Sequence, residues 1–348
     1  MKIIILSPSQ KTVGGVERFC AYLLSVYQQA GHEVEIVAAP EDNSFVAKIV
    51  HLVGLGAPLA AWRLGRLVRS RPYDVLVTNG MLAWNLSGDN IINIQHGTFA
   101  AAADRIDKGK NQFKWLMKRY GWSYFEALAA KRAARVVAVS ADTAASVKKY
   151  YGVEAEVINN AVATDIFVKS DQALARAHFN LPTEGLLALF VGRFEYGKGS
   201  DIMMSCLPIL KSNDYKLVLA ADRQITAEQI ISLQNIAYTE MPLLYAACDL
   251  FIFPSRHEGC SLALLEAISC ELPFISTAVG SAPELASLEP ALRTRVCPIS
   301  SFTQCLSVCL ESKSAAVAAT MAKKLLLTNF SQAEFCRRHL EIINSLKL

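Results

Sequence analysis

Short apolar runs alternate with amphipathic stretches in two successive series, and this pattern constrains the fold more than any other feature of the sequence. Residues 2–6 have the make-up of a buried strand, residues 15–29 repeat apolar side chains at helical spacing (Val16, Phe19, Leu23, Leu24, Tyr27), and residues 33–38 read as a strand again. The first series continues with strands at 74–78, 91–95, 135–139 and 156–158, separated by helical stretches such as 113–131 and 142–150. A polar, poorly periodic segment over roughly 161–185 then interrupts the pattern and ends in the turn-like Leu181-Pro182-Thr183. The second series has strands at 186–191, 216–220, 249–253, 274–277 and 295–297, and helices from about Ser301 close the chain. Alternation of this kind predicts α/β units, each a parallel sheet covered on both faces. The expected division is an N-terminal domain over 1–168, a C-terminal domain over 169–330, and a last helix over 331–348 that packs back toward the N-terminal domain. In such sheets the crevice at the carboxyl ends of the strands is the expected ligand site.

Composition agrees with this layout. Hydrophobic residues make up 52% and charged residues 19% of the 348, as strands buried on both faces require. No apolar stretch approaches the roughly 18–20 residues that cross a bilayer. The N-terminus runs straight into a strand without a signal-peptide pattern, so a cytoplasmic location is expected. The nine cysteines are scattered and form no C-x-x-C pair, which predicts buried free thiols. Net charge is +4, unevenly placed: residues 1–168 hold 19 Lys and Arg against 14 Asp and Glu, whereas residues 169–348 hold 16 against 17. So small a charge leaves no footprint of nucleic-acid binding.

The most specific stretch is Phe253-Pro254-Ser255-Arg256-His257-Glu258-Gly259-Cys260-Ser261-Leu262-Ala263-Leu264-Leu265-Glu266-Ala267. A strand ends, a Gly-containing loop follows, and a helix begins near Ser261. Such a junction points backbone N–H groups and the positive helix end outward, which suits a diphosphate. Glu258 in the loop and Glu266 on the helix can each accept hydrogen bonds from vicinal hydroxyls. Glu266 is flanked by Leu264, Leu265, Ala267 and Ile268, an awkward setting for a mere surface charge. Upstream, Phe190-Val191-Gly192-Arg193-Phe194-Glu195-Tyr196-Gly197-Lys198-Gly199 places Arg193 and Lys198 after another strand end, where two cations can neutralise a diphosphate leaving group. Gly14 and Gly15, after the first strand, open a helix whose N-terminus a ligand can approach closely. They form no G-x-G-x-x-G, so a dinucleotide site is poorly supported. His96 follows a strand and precedes Gly97, Ser140 is placed to cap a helix, and Asn160 sits near the interruption.

These stretches resemble the retaining family 4 glycosyltransferases of GT-B fold, in which two Rossmann-like domains face each other across a cleft. The likeness spans almost the whole chain, and its most diagnostic part is the Glu258/Glu266 pair with Glu-Gly-Cys-Ser-Leu inside it. The resemblance implies that Glu258 faces the transferred sugar, that Glu266 holds the nucleotide ribose, and that N–H groups of Cys260, Ser261 and Leu262 meet the donor phosphates. It assigns Arg193 and Lys198 to the diphosphate, Gly14 and Gly15 to the donor phosphates and sugar, His96 to the reacting sugar, and Asn160 to an interdomain motif. There are departures: Asn160-Ala161-Val162-Ala163 replaces Asn-Gly-Val-Asp, Ala220-Ala221-Asp222-Arg223 replaces a Gly-rich turn, and Ser261 stands where a second Gly is common. The segment between Lys198 and Pro254 is also short. These changes bear on base recognition more than on phosphate and ribose contacts.

The function implied is transfer of a sugar from a UDP- or GDP-sugar to a glycan or glycolipid, in lipopolysaccharide or surface-polysaccharide synthesis. The nucleotide-sugar is a substrate, and no cofactor is expected. No Asp-x-Asp occurs in the sequence, so metal-independent transfer is expected. A GT-B sugar-nucleotide epimerase, a phosphorylase or a catalytically silent partner subunit would share the architecture. Residues 113–125 interleave Lys114, Lys118 and Arg119 with Phe113, Trp115, Leu116, Met117, Tyr120, Trp122 and Tyr124. With Arg63, Arg66, Arg69 and Arg71 they form either a face for peripheral contact with an anionic inner membrane or an ordinary helix with a core stripe.

Overall fold

The computed structural model describes residues 1–9, 14–38, 55–311 and 315–346. They fall into two units, one made of Met1–Asn160 with Phe335–Leu348 and the other of Ala161–Glu334. The first boundary lies before the polar segment rather than at residue 168, because that segment is anchored in the second unit. Phe167 is fully buried there, its carbonyl accepts the Ser269 hydroxyl at 2.6 Å, and its ring meets Tyr238 and Tyr245 at 5.5 and 6.1 Å. The second boundary falls inside the helix Gln332–Asn344. From Phe335 onward that helix belongs to the first unit, where the Phe335 ring meets Phe19 and Tyr22 at 5.7 and 5.1 Å.

In the first unit β1 (Lys2–Ser7), β2 (Glu33–Ala38), β3 (Val75–Asn79), β4 (Gly88–Gln95), β5 (Ala133–Ala138) and β6 (Glu156–Val157) form one parallel sheet in the order β2-β1-β3-β4-β5-β6. In the second, β7 (Leu186–Val191), β8 (Tyr215–Ala220), β9 (Ile230–Leu233), β10 (Leu250–Phe253), β11 (Phe274–Thr277) and β12 (Val296–Cys297) are ordered β12-β11-β10-β7-β8-β9, again all parallel. Ile3, Ile4, Ile5 and Leu6 of β1 and Leu187, Ala188, Leu189 and Phe190 of β7 are all buried, as helices on both faces require. Each sheet reverses strand order once, between β1 and β3 and between β7 and β10. The loops leaving these strands therefore diverge to opposite faces and open a crevice at their carboxyl ends.

Two elements differ from the sequence pattern. β9 is an edge strand of four residues paired to β8 alone, and Ile-Ile-Ser-Leu between polar flanks is too short to show a period. The helical stretch near residue 120 is not uniform: between the helices Gln112–Leu116 and Ser123–Arg132, residues Met117–Trp122 form a wider turn, with the Ser123 N–H reaching the Lys118 carbonyl five residues back. All nine cysteines are free thiols, and all but Cys305 and Cys336 are buried. Among the described residues, no helix is long and apolar enough to cross a membrane.

Candidate active site

The strand ends at the switch point of the second unit are locked together by glycines and ion pairs. Gly199 has φ +75°, and a Cβ there would lie 2.0 Å from the Pro254 carbonyl oxygen, so the turn after Lys198 abuts the end of β10 only because the side chain is missing. Gly280, after β11, is also left-handed, and a Cβ there would lie 2.9 Å from the Gly259 carbonyl and 3.2 Å from Glu258 Cβ. Arg256 ties the loops after β7 and β10 together. Its guanidinium carbon lies 3.5 Å from the Tyr196 ring centroid, while its Nη1 donates to the Tyr196 carbonyl at 2.7 Å and its two terminal nitrogens donate to the two Asp201 oxygens at 2.7 and 2.9 Å.

Within this frame Glu258 Oε1 accepts the Lys198 ammonium and the Ser255 hydroxyl, each at 2.6 Å. Lys198 and Glu258 are thus brought together from residues 60 apart in sequence. Arg193 stays on the rim, with an exposed side chain paired to Glu195 at 2.9 Å. The helix Leu262–Ser269 begins after Ser261, whose hydroxyl accepts the Leu264 N–H at 3.4 Å. Cys260 and Ser261 are buried, and Leu262, the first helical residue, is partly so. Sequence reasoning missed Arg256 and Gly280. No local pattern marks Arg256, since its partners Tyr196 and Asp201 lie in the turn and helix start that follow β7.

Glu266 sits deeper than its surface alternative would have put it, only 3% exposed. Its two oxygens accept the hydroxyls of Tyr238 at 3.2 Å and Tyr245 at 2.9 Å. Burial and the facing carboxylate push the Tyr245 hydroxyl pKa well above the ordinary phenol value, so it stays a donor.

The corresponding edge of the first unit is built mainly from uncharged groups. Gly14 caps the helix Gly15–Gln29, and the Arg18 N–H returns to its carbonyl at 3.1 Å. His96 leaves β4 with its Nε2 at 2.7 Å from Asn79 Oδ1 and its ring edge-on to Phe19, centroids 4.7 Å apart. Burial lowers its pKa to about 4, so the imidazole is neutral near pH 7. Beneath it Asn93 Nδ2 donates to Thr78 Oγ1 and the Gly80 carbonyl, both at 2.8 Å. The next turn is held by Glu126, which accepts the Phe99 N–H at 2.9 Å and the Tyr151 hydroxyl; burial raises this carboxyl to about 7. Asn79 and Glu126 were not foreseen. Asn79-Gly80 reads in sequence as a turn signal, and Glu126 as one charge on a long helix. Ser140 caps the helix Ala141–Tyr151, accepting the Thr143 N–H at 3.2 Å. Asn160 is buried and ends the first stretch of this unit.

Two doubly wound units of this kind, covering the whole chain, occur together in solved glycosyltransferases. The chain aligns over 99% of its length with sucrose-phosphate synthase from Thermosynechococcus elongatus (TM-score 0.79, 16% identity, 98% of that chain). It aligns over the same share with WaaG, a glycosyltransferase involved in lipopolysaccharide biosynthesis (TM-score 0.76, 17% identity, 100% of that chain), and with Anabaena HepE in complex with UDP-glucose (TM-score 0.73, 17% identity, 100% of that chain). The fold is therefore GT-B. Residues 13–166 match the family model described as Glycosyltransferase Family 4, and residues 185–304 match that described as Glycosyl transferases group 1. The chain belongs to the family 4 glycosyltransferases. A curated relative, D-inositol 3-phosphate glycosyltransferase of Mycobacterium tuberculosis, is 28% identical over 167 residues, which is 43% of this chain but only 35% of that protein.

Proposed function

We propose that this glycosyltransferase takes its sugar from a nucleoside-diphosphate donor held at the carboxyl edge of the second-unit sheet and transfers it, with retention, to a glycan or lipid-linked glycan. The Lys198–Glu258 pair carries this reading: a cation and a carboxylate 2.6 Å apart, beside the first turn of the helix Leu262–Ser269. As the anomeric C–O bond to the diphosphate breaks, negative charge gathers on the departing phosphate oxygens. Lys198, Arg193 and the N–H groups of Cys260, Ser261 and Leu262 stabilise that charge, so no metal ion is needed. Gly14 and Gly15 are assigned to the donor phosphates and sugar by the family resemblance alone. The acceptor oxygen bonds the anomeric carbon on the face the diphosphate leaves, and its proton passes to the phosphate oxygen. Glu258 accepts sugar hydroxyls and Glu266 accepts ribose hydroxyls, and the family resemblance assigns His96, a neutral ring, to the reacting sugar.

The test is a screen of UDP- and GDP-sugars by thermal shift and donor-dependent hydrolysis. One nucleotide class should raise the melting temperature and release free nucleoside diphosphate; binding of neither class at millimolar concentration sinks the reading.

The proposed acceptor is lipid-linked, as in lipopolysaccharide or surface-polysaccharide assembly at the inner face of a membrane. Support comes from Phe113, Leu116, Tyr120 and Tyr124, which recur along the helical stretch and are all exposed, near the exposed Lys108, Lys110 and Lys114. The basic part of this face is smaller than the sequence implied. Lys118 pairs with Asp107 at 2.7 Å, Arg119 lies 3.5 Å from Asp104, and the Trp115 indole donates to Asp104 at 2.9 Å. Flotation with anionic vesicles at low salt decides the matter: the protein should float with them and not with zwitterionic ones.

A further inference from the structure

We propose that Asn79 is a positioning residue that fixes the tautomer of His96, keeping the proton on Nε2 and the lone pair on Nδ1. Leu6 lies at the end of β1. Its carbonyl can only accept a hydrogen bond, and the Asn79 side chain reaches it at 2.6 Å. That atom must be the amide nitrogen, which also lies 3.3 Å from Cys20 Sγ. The orientation of the Asn79 amide is therefore set by the main chain of a neighbouring strand. Its oxygen is left facing His96 Nε2 at 2.7 Å. An amide oxygen accepts and never donates, so Nε2 carries the proton. The ring is neutral in its buried setting, and its second nitrogen is then an acceptor. No partner for Nδ1 is found among the described residues, so the lone pair is available to a hydroxyl or water proton.

The surroundings favour this neutral state from each packed element. The Gly15–Gln29 helix contributes the Phe19 ring and the Cys20 thiol, whose pKa burial pushes up to about 12, with the charge of Glu17 on the same helix acting in the same direction. The C-terminal helix contributes His339, 1% exposed, with both ring nitrogens lacking a hydrogen-bond partner. Burial holds its pKa down at about 3, and His96 and Arg338 add further opposition to its charge. Among the described residues, neither His96 nor His339 forms an ion pair with a carboxylate. One amide therefore decides which of two neutral tautomers exists. Without it, Nε2–H and Nδ1–H forms would interconvert, and only part of the protein would hold an acceptor at Nδ1.

That His96 serves sugar transfer rests on the function proposed above, whereas the tautomer does not, and the experiment separates the two. Protein labelled with 15N-histidine is observed by long-range proton–nitrogen correlation from pH 5 to 8. His96 should show a protonated, pyrrole-type Nε2 and an unprotonated, pyridine-type Nδ1 throughout. A protonated Nδ1, or shifts averaged between the two forms, overturns the proposal whatever the enzyme's activity. In Asn79→Leu the shifts should become averaged. In Asn79→Asp, which keeps the acceptor and adds a charge, Nε2–H should persist while the His96 pKa rises by about one unit or more. Unaltered shifts in the leucine variant also overturn it, and if that variant does not fold the aspartate variant and the wild-type spectrum still decide. Activity enters last: a slow Asn79→Leu enzyme with wild-type donor KM, partly rescued in Asn79→Asp, ties the tautomer to transfer. Wild-type turnover with averaged shifts would instead leave the tautomer assignment standing and refute the role of His96.

Discussion

The carboxyl edges of the two sheets share a topology and differ in chemistry. In the second unit the loops after β7 and β10 present Lys198, Arg193, Arg256 and Glu258, charged groups cross-braced by ion pairs, with Arg193 out on the rim. In the first, the ends of β3 and β4 carry Thr78, Asn79, Asn93 and Gln95, all buried and uncharged, under a neutral His96. Held cations suit a site that must take up a doubly charged leaving group, because a charge kept near water costs little to maintain until its partner arrives. Buried amides suit a site where one imidazole must have a fixed orientation and protonation state, since a satisfied polar network is specific about both. One fold thus supplies an electrostatic edge and a hydrogen-bonding edge.

The hardest blow to the electrostatic edge is Lys198→Ala. It removes a cation from the leaving group and leaves Glu258 with the Ser255 hydroxyl alone. Turnover should fall by about 10²–10³-fold, the range for loss of one charge-stabilising donor, with donor KM changed far less. Steady-state kinetics with the donor found by screening checks it, and turnover within a factor of about two of wild type would erase the contrast between the edges.

Next in size is the frame beneath that edge. Gly199→Ala sets a Cβ 2.0 Å from the Pro254 carbonyl in a backbone with φ +75°. A clash with main chain cannot be relieved by turning a rotamer, so at least about 2 kcal/mol of stability should be lost in urea denaturation. An unaltered midpoint would mean that the loops after β7 and β10 are not held together as described.

What the sequence made legible follows the same division. Local signals sufficed for the strands, because runs such as Ile3–Ile4–Ile5 and Leu187–Ala188–Leu189 are buried on both faces. They sufficed too for the loop after β10, where strand, glycine and helix start lie within a few residues. β9 escaped notice because four residues at a sheet edge carry no period. The boundary read at residue 168 differs from the division after Asn160 because the polar segment is anchored in the second unit by one aromatic, Phe167. Asn79, Glu126 and Arg256 could not be found from neighbours in sequence: their partners lie 17, 27 and 55 residues away. Residues that position others are recognised by contact, and contact of this range is what a linear reading lacks.

The hydrogen-bonding edge can be probed by pH. His339 has a folded pKa of about 3 against an ordinary value of 6.5, so between these values the unfolded chain binds a proton that the folded chain does not. Its contribution is therefore constant above about pH 6.5 and is lost progressively as pH falls below it; His96, at about 4, acts in the same sense. Glu126 opposes them. Its folded pKa of about 7 exceeds the ordinary 4.5, so its contribution is full below the latter and declines as pH rises toward 7. Comparing His339→Phe with wild type cancels the Glu126 effect. The variant should gain about 2 kcal/mol over wild type on going from pH 7.5 to pH 5, at roughly 1.4 kcal/mol per pH unit below 6.5. Parallel pH profiles for the two proteins would show that His339 is charged, or exposed, in the folded state.

The smallest effect expected is at Glu266, and it tests whether the electrostatic edge extends to its buried end. Glu266→Gln keeps the shape and one acceptor oxygen, but its amide would point donors at Tyr238 or Tyr245, whose hydroxyls already donate to this side chain. Ribose hydroxyls are held equally in the ground and transition states, so losing their acceptor raises KM without lowering kcat. Donor KM should therefore rise by about tenfold, the loss of roughly one charge-assisted hydrogen bond, with kcat nearly unchanged. A fall in kcat at unaltered KM would place Glu266 among the groups that act on the leaving diphosphate. A fall in stability alone, with both constants preserved, would return it to the aromatic core formed with Phe167, Tyr238 and Tyr245 and leave the ribose to other residues.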